Sequence, residues 1–176
     1  MSYIFNDDAS FSEGYEQRII DKINSSKAFT AAKPEEPGYP DIVMKKGENL
    51  HAYIEVKVQQ RTFMSVEKTL PQSRLMPSET IALNLSDLQR YFGIKDKTNT
   101  PVYIVWVLLN RGCIVPIGSE GYYFQDIEVL RNIYNKENDR RRFRRRSGDG
   151  DVVDGVHKGV TVNYHFSLKE LIKWNF

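Results

Sequence analysis

Two carboxylates and a lysine stand in a spacing that could hold a divalent cation and turn a water against a phosphodiester. Asp41 follows Pro40, and Glu55-Val56-Lys57 lies beyond a turn at Lys45-Lys46-Gly47-Glu48-Asn49. Side chains alternate along an extended strand, so Glu55, Lys57 and Gln59 share one face while Ile54, Val56 and Val58 share the other. The apolar set can enter a core, and the polar set then faces a cleft beside Asp41. Two carboxylates brought together this way repel unless a cation sits between them. Mg²⁺ suits such a place, being a hard ion held by one or two carboxylates plus water and phosphate oxygens; Mn²⁺ is the alternative. Lys57 adds a positive charge that can hold a water or offset charge developing on phosphorus. The competing reading is a surface hairpin with an ordinary Glu55–Lys57 pair, which would contribute little.

A second feature is charge. Arg140, Arg141, Arg142, Arg144, Arg145 and Arg146 surround Phe143, and residues 131–146 carry a local balance of +6 in a chain of net charge +2, leaving −4 elsewhere. In water these guanidinium groups repel and have little reason to order. Against nucleic-acid phosphates they release counterions, and arginine suits bidentate phosphate or guanine contacts. The run is therefore expected to bind DNA, with Phe143 stacking on a base or anchoring the loop. A solvated basic tract is the plainer reading.

The elements that must position these groups follow from periodicity. Residues 11–25 read as a helix, with Phe11, Tyr15, Ile19, Ile20 and Ile23 on one face and Ser10/Glu13 as a capping box. Prolines and Gly38 make 31–40 a loop. Residues 41–44 and 50–59 form a hairpin. Residues 63–77 read as a broken helix or extended arm, and Ser86-Asp87-Leu88-Gln89 opens a short helix ending near Gly93. The run 102–109 is apolar throughout and predicts a strand buried on both faces. Residues 113–117 are expected as a strand with Cys113 in the core, 124–134 as a helix, 135–158 as a mobile basic loop, and 159–166 as a strand. Ser167 then caps a last short helix. This order predicts one mixed α/β domain over 1–176.

Composition agrees with one ordinary globular core: 176 residues, 40% hydrophobic and 27% charged. No apolar run could span a membrane, the N-terminal residues lack a signal-peptide pattern, and a single cysteine excludes an internal disulfide. A cytoplasmic setting is expected. His51, His157 and His165 have no ligand spacing, and no phosphate-binding glycine loop of the P-loop type is present.

The pattern Pro40-Asp41 with Glu55-Val56-Lys57 on a hairpin strand, behind a helix carrying Glu16, resembles the PD-(D/E)xK nuclease superfamily. That superfamily includes type II restriction enzymes, Holliday-junction resolvases and homing endonucleases. The resemblance implies a restriction-endonuclease-like core, a central mixed β-sheet flanked by helices. It implies that Asp41, Glu55 and the Val56 carbonyl hold the metal with help from Glu16. Lys57 would then act at the water, and Gln59 would extend the motif. The expected activity is endonucleolytic hydrolysis of double-stranded or branched DNA. The arm and the arginine run, read as recognition additions, favour sequence-specific cleavage of the restriction or homing type. A junction resolvase and a non-cleaving binding module of the same fold are the alternatives. One site per chain further implies a homodimer or larger symmetric assembly.

Overall fold

The apolar run at 102–109 is the middle of the molecule, buried from both sides as its composition predicts. The computed structural model describes residues 5–146, 152–153, 156–157 and 160–175, with side chains described within 11–144 and 161–175. Helix α1 (Phe5–Ser25) leads into strands β1 (Thr30–Ala32), β2 (Ile42–Lys46) and β3 (Asn49–Gln59). Helix α2 (Val66–Thr69), a 3-10 turn, strand β4 (Thr80–Asn84) and helix α3 (Leu85–Thr98) follow. Then come β5 (Val102–Leu109), β6 (Glu120–Asp126), helix α4 (Ile127–Glu137), a 3-10 turn at Asn138–Arg141, and β7 (Arg142–Arg146). The short β8 (Val152–Val153) and β9 (Val156–His157) precede β10 (Val160–Ser167), a 3-10 turn and β11 (Ile172–Trp174).

Six strands form the central sheet in the order β1-β2-β3-β5-β6-β11. Only the β3–β5 pairing is parallel, so the sheet is mixed. A parallel neighbour demands a crossover, and the segment carrying α2, β4 and α3 supplies it. Alternation along β5 sends Ile104, Trp106 and Leu108 into one core, and Val105, Val107 and Leu109 into another on the opposite face. Helix α1 closes the second core with Ile19, Ile20 and Ile23. The first is closed by α3, α4 and a three-stranded sheet of order β4-β10-β7. The β2–β3 turn is Gly47-Glu48, and Gly47 takes a φ of +60°, the left-handed region that glycine enters without a Cβ clash. The whole is the α/β arrangement expected, a central mixed sheet flanked by helices: a helix, an antiparallel three-strand meander, then a helix and a strand parallel to the third.

Several elements differ from expectation. Helix α1 begins at Phe5, so Ser10 lies inside it and cannot cap it. Helix α3 starts after Asn84 and runs through Gly93 to Thr98. Residues 113–117 form a turn between Gly112 and Gly118 with Pro116 inside it, and Cys113 is exposed. The aromatic stretch Tyr122-Tyr123-Phe124 is instead strand β6, paired with Val107, Trp106 and Val105. Helix α4 begins only at Ile127, where Asp126 accepts the Glu128 N–H at 2.7 Å. Ser167 does form a capping box, but on a single 3-10 turn that gives way to edge strand β11.

The arginine run differs most. Rather than a loop, Arg142–Arg146 is strand β7, paired antiparallel with β10. Pairing partners already anchored by Tyr164 and Phe166 in the core hold it there. Phe143 packs with Phe63 on a small apolar cluster of Val66, Leu70 and Leu75, so the 63–77 arm is a packed element as well. The rest of the expected basic loop falls largely outside the described residues.

Candidate active site

The two half-motifs meet where β2 begins. Ile42 pairs with Ile54, and β3 continues past that point with no β2 residue opposite it. The Asp41 side chain takes the vacated position, and its Oδ2 accepts the Val56 N–H at 2.8 Å. In an extended strand the N–H and C=O of one residue point to the same edge, so the Val56 carbonyl points toward Asp41 as well. Glu55 and Lys57 project together from the face of β3 opposite Val56, toward α3.

Glu55 is nearly fully buried, with a side chain 6% exposed and Oε1 2.6 Å from Lys57 Nζ. Burial pushes its carboxyl above the usual range and the charge of Asp41 adds to this, while Lys57 and a hydrogen bond from the Tyr91 hydroxyl oppose it. Lys57 Nζ also lies 3.3 Å from Asp87 Oδ2. Burial alone would lower the lysine's pKa, but Glu55 and Asp87 outweigh it and hold the ammonium above its ordinary value. An ammonium has three N–H donors, so two carboxylates leave one for a further acceptor. That donor has an outlet: Lys57 and Asp87 line a cleft of about 570 Å³.

Helix α3 supplies the support. Asp87, Arg90 and Tyr91 fall on one helical face by their spacing. Arg90 Nη2 donates to the Tyr91 hydroxyl at 2.8 Å and lies 3.2 Å from Asp87 Oδ1. Tyr91, fully buried, passes its own proton toward Glu55; burial and that carboxylate raise its pKa far out of reach of ordinary pH. Asp87, Arg90 and Tyr91 were not among the expected site residues; their helical spacing groups them, but only the fold turns that face to Glu55 and Lys57.

Three expected site residues have partners of their own within the fold. Glu16 is buried on α1, the helix that covers the Val56 face of the sheet, and its carboxylate is paired with Lys33. Among the described residues no three of His, Cys, Asp or Glu converge as a metal-holding group. Gln59 has both ends of its amide engaged: Nε2 donates to the Ala82 carbonyl at 2.8 Å, and Oε1 accepts from Arg111 at 3.4 Å. It ties β3 to β4 while lining the cleft it shares with Lys57 and Asp87. Arg141 is buried and lies 2.7 Å from Glu170 and 3.8 Å from Glu137, so its charge is spent inside the fold. Arg140, Arg142 and Arg144 are exposed; the side chains of Arg145 and Arg146 lie outside the described residues.

The donor set fits Mg²⁺. Among the described residues Asp41 keeps one oxygen free of protein partners, Glu55 is a second hard anionic donor that Asp41 itself repels, and the Val56 carbonyl points the same way. Two carboxylates with the remaining positions left to water and phosphate oxygens is the composition this ion favours.

No family model matches the chain, and no curated protein matches it. Among solved structures it is similar to Hjc, a Holliday junction resolvase from the archaeal hyperthermophile Archaeoglobus fulgidus. The TM-score is 0.49 and the identity 12%, over 92% of this chain and 90% of that one. Topology and site together define an α/β fold with a central mixed sheet flanked by helices, in which Asp41, at the start of β2, meets Glu55-Val56-Lys57 of β3. No helix among the described residues is long and apolar enough to cross a membrane.

Proposed function

We propose that this protein is a metal-dependent nuclease that hydrolyses DNA phosphodiesters, with branched DNA as its first-choice substrate. The observation that carries the reading is the Lys57 ammonium, held between Glu55 and Asp87 at the mouth of a cleft, beside an Asp41 locked onto the Val56 amide. A bound Mg²⁺ would supply Lewis acidity and a water of lowered pKa. Asp41, Glu55 and the Val56 carbonyl would hold it. Lys57 stays protonated, so it donates a hydrogen bond to the water or a phosphoryl oxygen and does not act as a base. Tyr91 and Arg90 keep Glu55 oriented and charged. The water oxygen bonds to phosphorus as the ester P–O bond breaks, leaving a phosphate monoester and a free hydroxyl.

Sequence-specific cleavage of the restriction or homing type drew its support from the 63–77 arm and the arginine run. Both are packed elements, joined through Phe63 and Phe143, which weakens their case as free recognition additions. The exposed Arg140, Arg142 and Arg144 remain suited to contacting duplex arms through phosphates. Paired cuts on two strands require two sites, hence a homodimer or larger symmetric assembly, which light scattering in solution would reveal.

The test is incubation with four-way-junction, linear duplex and plasmid DNA, in Mg²⁺, Mn²⁺ or EDTA. Cutting is expected with metal and not with EDTA, most strongly on the junction. Asp41→Ala, Glu55→Ala and Lys57→Ala are each expected to lower the rate by roughly two or more orders of magnitude. If the wild-type chain binds these DNAs but cuts none with either metal, the nuclease reading is wrong and a binding module takes its place.

A further inference from the structure

The cleft beside Lys57 extends well beyond the groups that would do the chemistry. It runs between the end of β3, the residues following it and the start of α3, and Arg61, Phe63, Asn84 and Asn163 line it. Arg61 is exposed and makes no ion pair among the described residues. The side-chain amides of Asn84 and Asn163 likewise have no protein partner among the described residues. Asn84 is the N-cap of the 14-residue α3, yet its side chain makes no capping bond, so the first-turn N–H groups lack a side-chain acceptor where the helix meets the cleft.

Behind this wall sits a cation with no counter-ion. Arg111 is 2% exposed and has no carboxylate within ion-pair distance among the described residues. Its Nη1 donates to the carbonyls of Ser78 and Thr80 at 3.1 and 2.8 Å, and its Nη2 to Arg61 O at 3.0 Å and Gln59 Oε1 at 3.4 Å. One guanidinium thus clamps both feet of the segment joining β3 to β4, the segment that carries Arg61 and Phe63. Burial lowers its pKa to about 10, which leaves it charged at neutral pH. A buried charge is normally paired, and this one is offset only by neutral carbonyls and an amide. Asp87, the carboxylate lining the cleft, is already neutralised by Lys57 and Arg90.

We infer that this cleft binds the sugar–phosphate backbone of one nucleic-acid strand, with Arg61 contacting a phosphate next to the one cleaved at Lys57. The uncapped end of α3 and the buried charge of Arg111 favour an anion there. Asn84 and Asn163 offer hydrogen bonds to sugar or base edges. A cleft of about 570 Å³ has room for a short stretch of one strand. The inference rests on the nuclease reading for the identity of its ligand, but binding can be measured without cleavage.

The experiment is fluorescence anisotropy of the full chain in EDTA, with a labelled short single-stranded DNA and a blunt duplex hairpin, across a salt series. Arg61→Gln is expected to raise Kd for the single strand about tenfold, lower its salt slope by about one, and leave the unfolding midpoint unchanged. Arg61→Lys should recover most of the slope, because the charge is kept. The duplex should lose less. An Arg61→Gln chain that binds the single strand with wild-type Kd and slope overturns the inference, even if the wild type cuts DNA. The expected loss in a wild type that cuts nothing sustains the cleft as a strand-binding site while the nuclease reading falls.

Discussion

Lys57 meets Glu55 at 2.6 Å and Asp87 at 3.3 Å, and those two carboxylates set both its charge and its reach. Removing the ammonium leaves two acidic groups facing one another, one of them buried. In Lys57→Met the Glu55 carboxyl, already raised by burial, must rise further. A carboxyl whose folded pKa exceeds its unfolded value binds more protons in the folded state. Its contribution is therefore fully favourable below the unfolded pKa and is lost as pH rises through the folded one. The variant should accordingly be near wild-type stability in acid and fall behind as pH approaches neutrality. The gap at neutral pH is expected to be roughly 1–3 kcal/mol, less than the ~3–5 kcal/mol of a fully buried pair because the lysine side chain is 30% exposed. Thermal unfolding of both proteins across that range checks it; a gap that shrinks toward neutral pH would contradict the assignment. Mg²⁺ should act in the opposite sense, stabilising the wild type more as pH rises, because it competes with the proton for Glu55.

At the scale of the element, strand β7 divides six similar residues into different roles. Arg141, at its entry, is an internal strut between Glu137 and Glu170, while Arg140, Arg142 and Arg144 are exposed. Arg141→Ala is expected to cost about 1–3 kcal/mol of stability, since it leaves two half-buried carboxylates without their cation, and to change DNA affinity only through unfolding. Alanine at Arg140, Arg142 or Arg144 should leave stability within about 0.5 kcal/mol and reduce the salt slope of DNA binding by up to about one each. Denaturant melts and a salt titration of binding separate the two classes. Nothing in a run of identical side chains distinguishes these roles; strand register and the position of Glu170, far along the chain, do.

At the scale of the molecule, Trp106 joins the layers. It is fully buried on β5, contacts the core formed with Ile81, Leu83, Tyr164 and Phe166 of the second sheet, and donates its indole N–H to the Ala82 carbonyl at 3.3 Å. One apolar cluster thus spans both sheets, so the two should unfold together. Trp106→Ala is expected to cost about 3–5 kcal/mol and to lower a single cooperative transition, visible by calorimetry as one peak. Two separated transitions in the wild type would show that the second sheet is an independent unit.

Much of this was legible in local pattern. Alternation along 50–59 placed Glu55 and Lys57 on one face, and an unbroken apolar run at 102–109 marked the central strand, because burial on two faces leaves no polar positions. The spacing of Asp41 and Glu55-Val56-Lys57 by itself determined which residues could share a cation, since a hairpin must return one to the other. Periodicity could not say that Glu16 is buried and paired with Lys33. It could not say that Gln59 is held by Ala82 and Arg111, or that Asp87 and Tyr91 complete the site from a helix thirty residues on. Those facts depend on which faces of distant elements meet, and only burial of the whole core decides that.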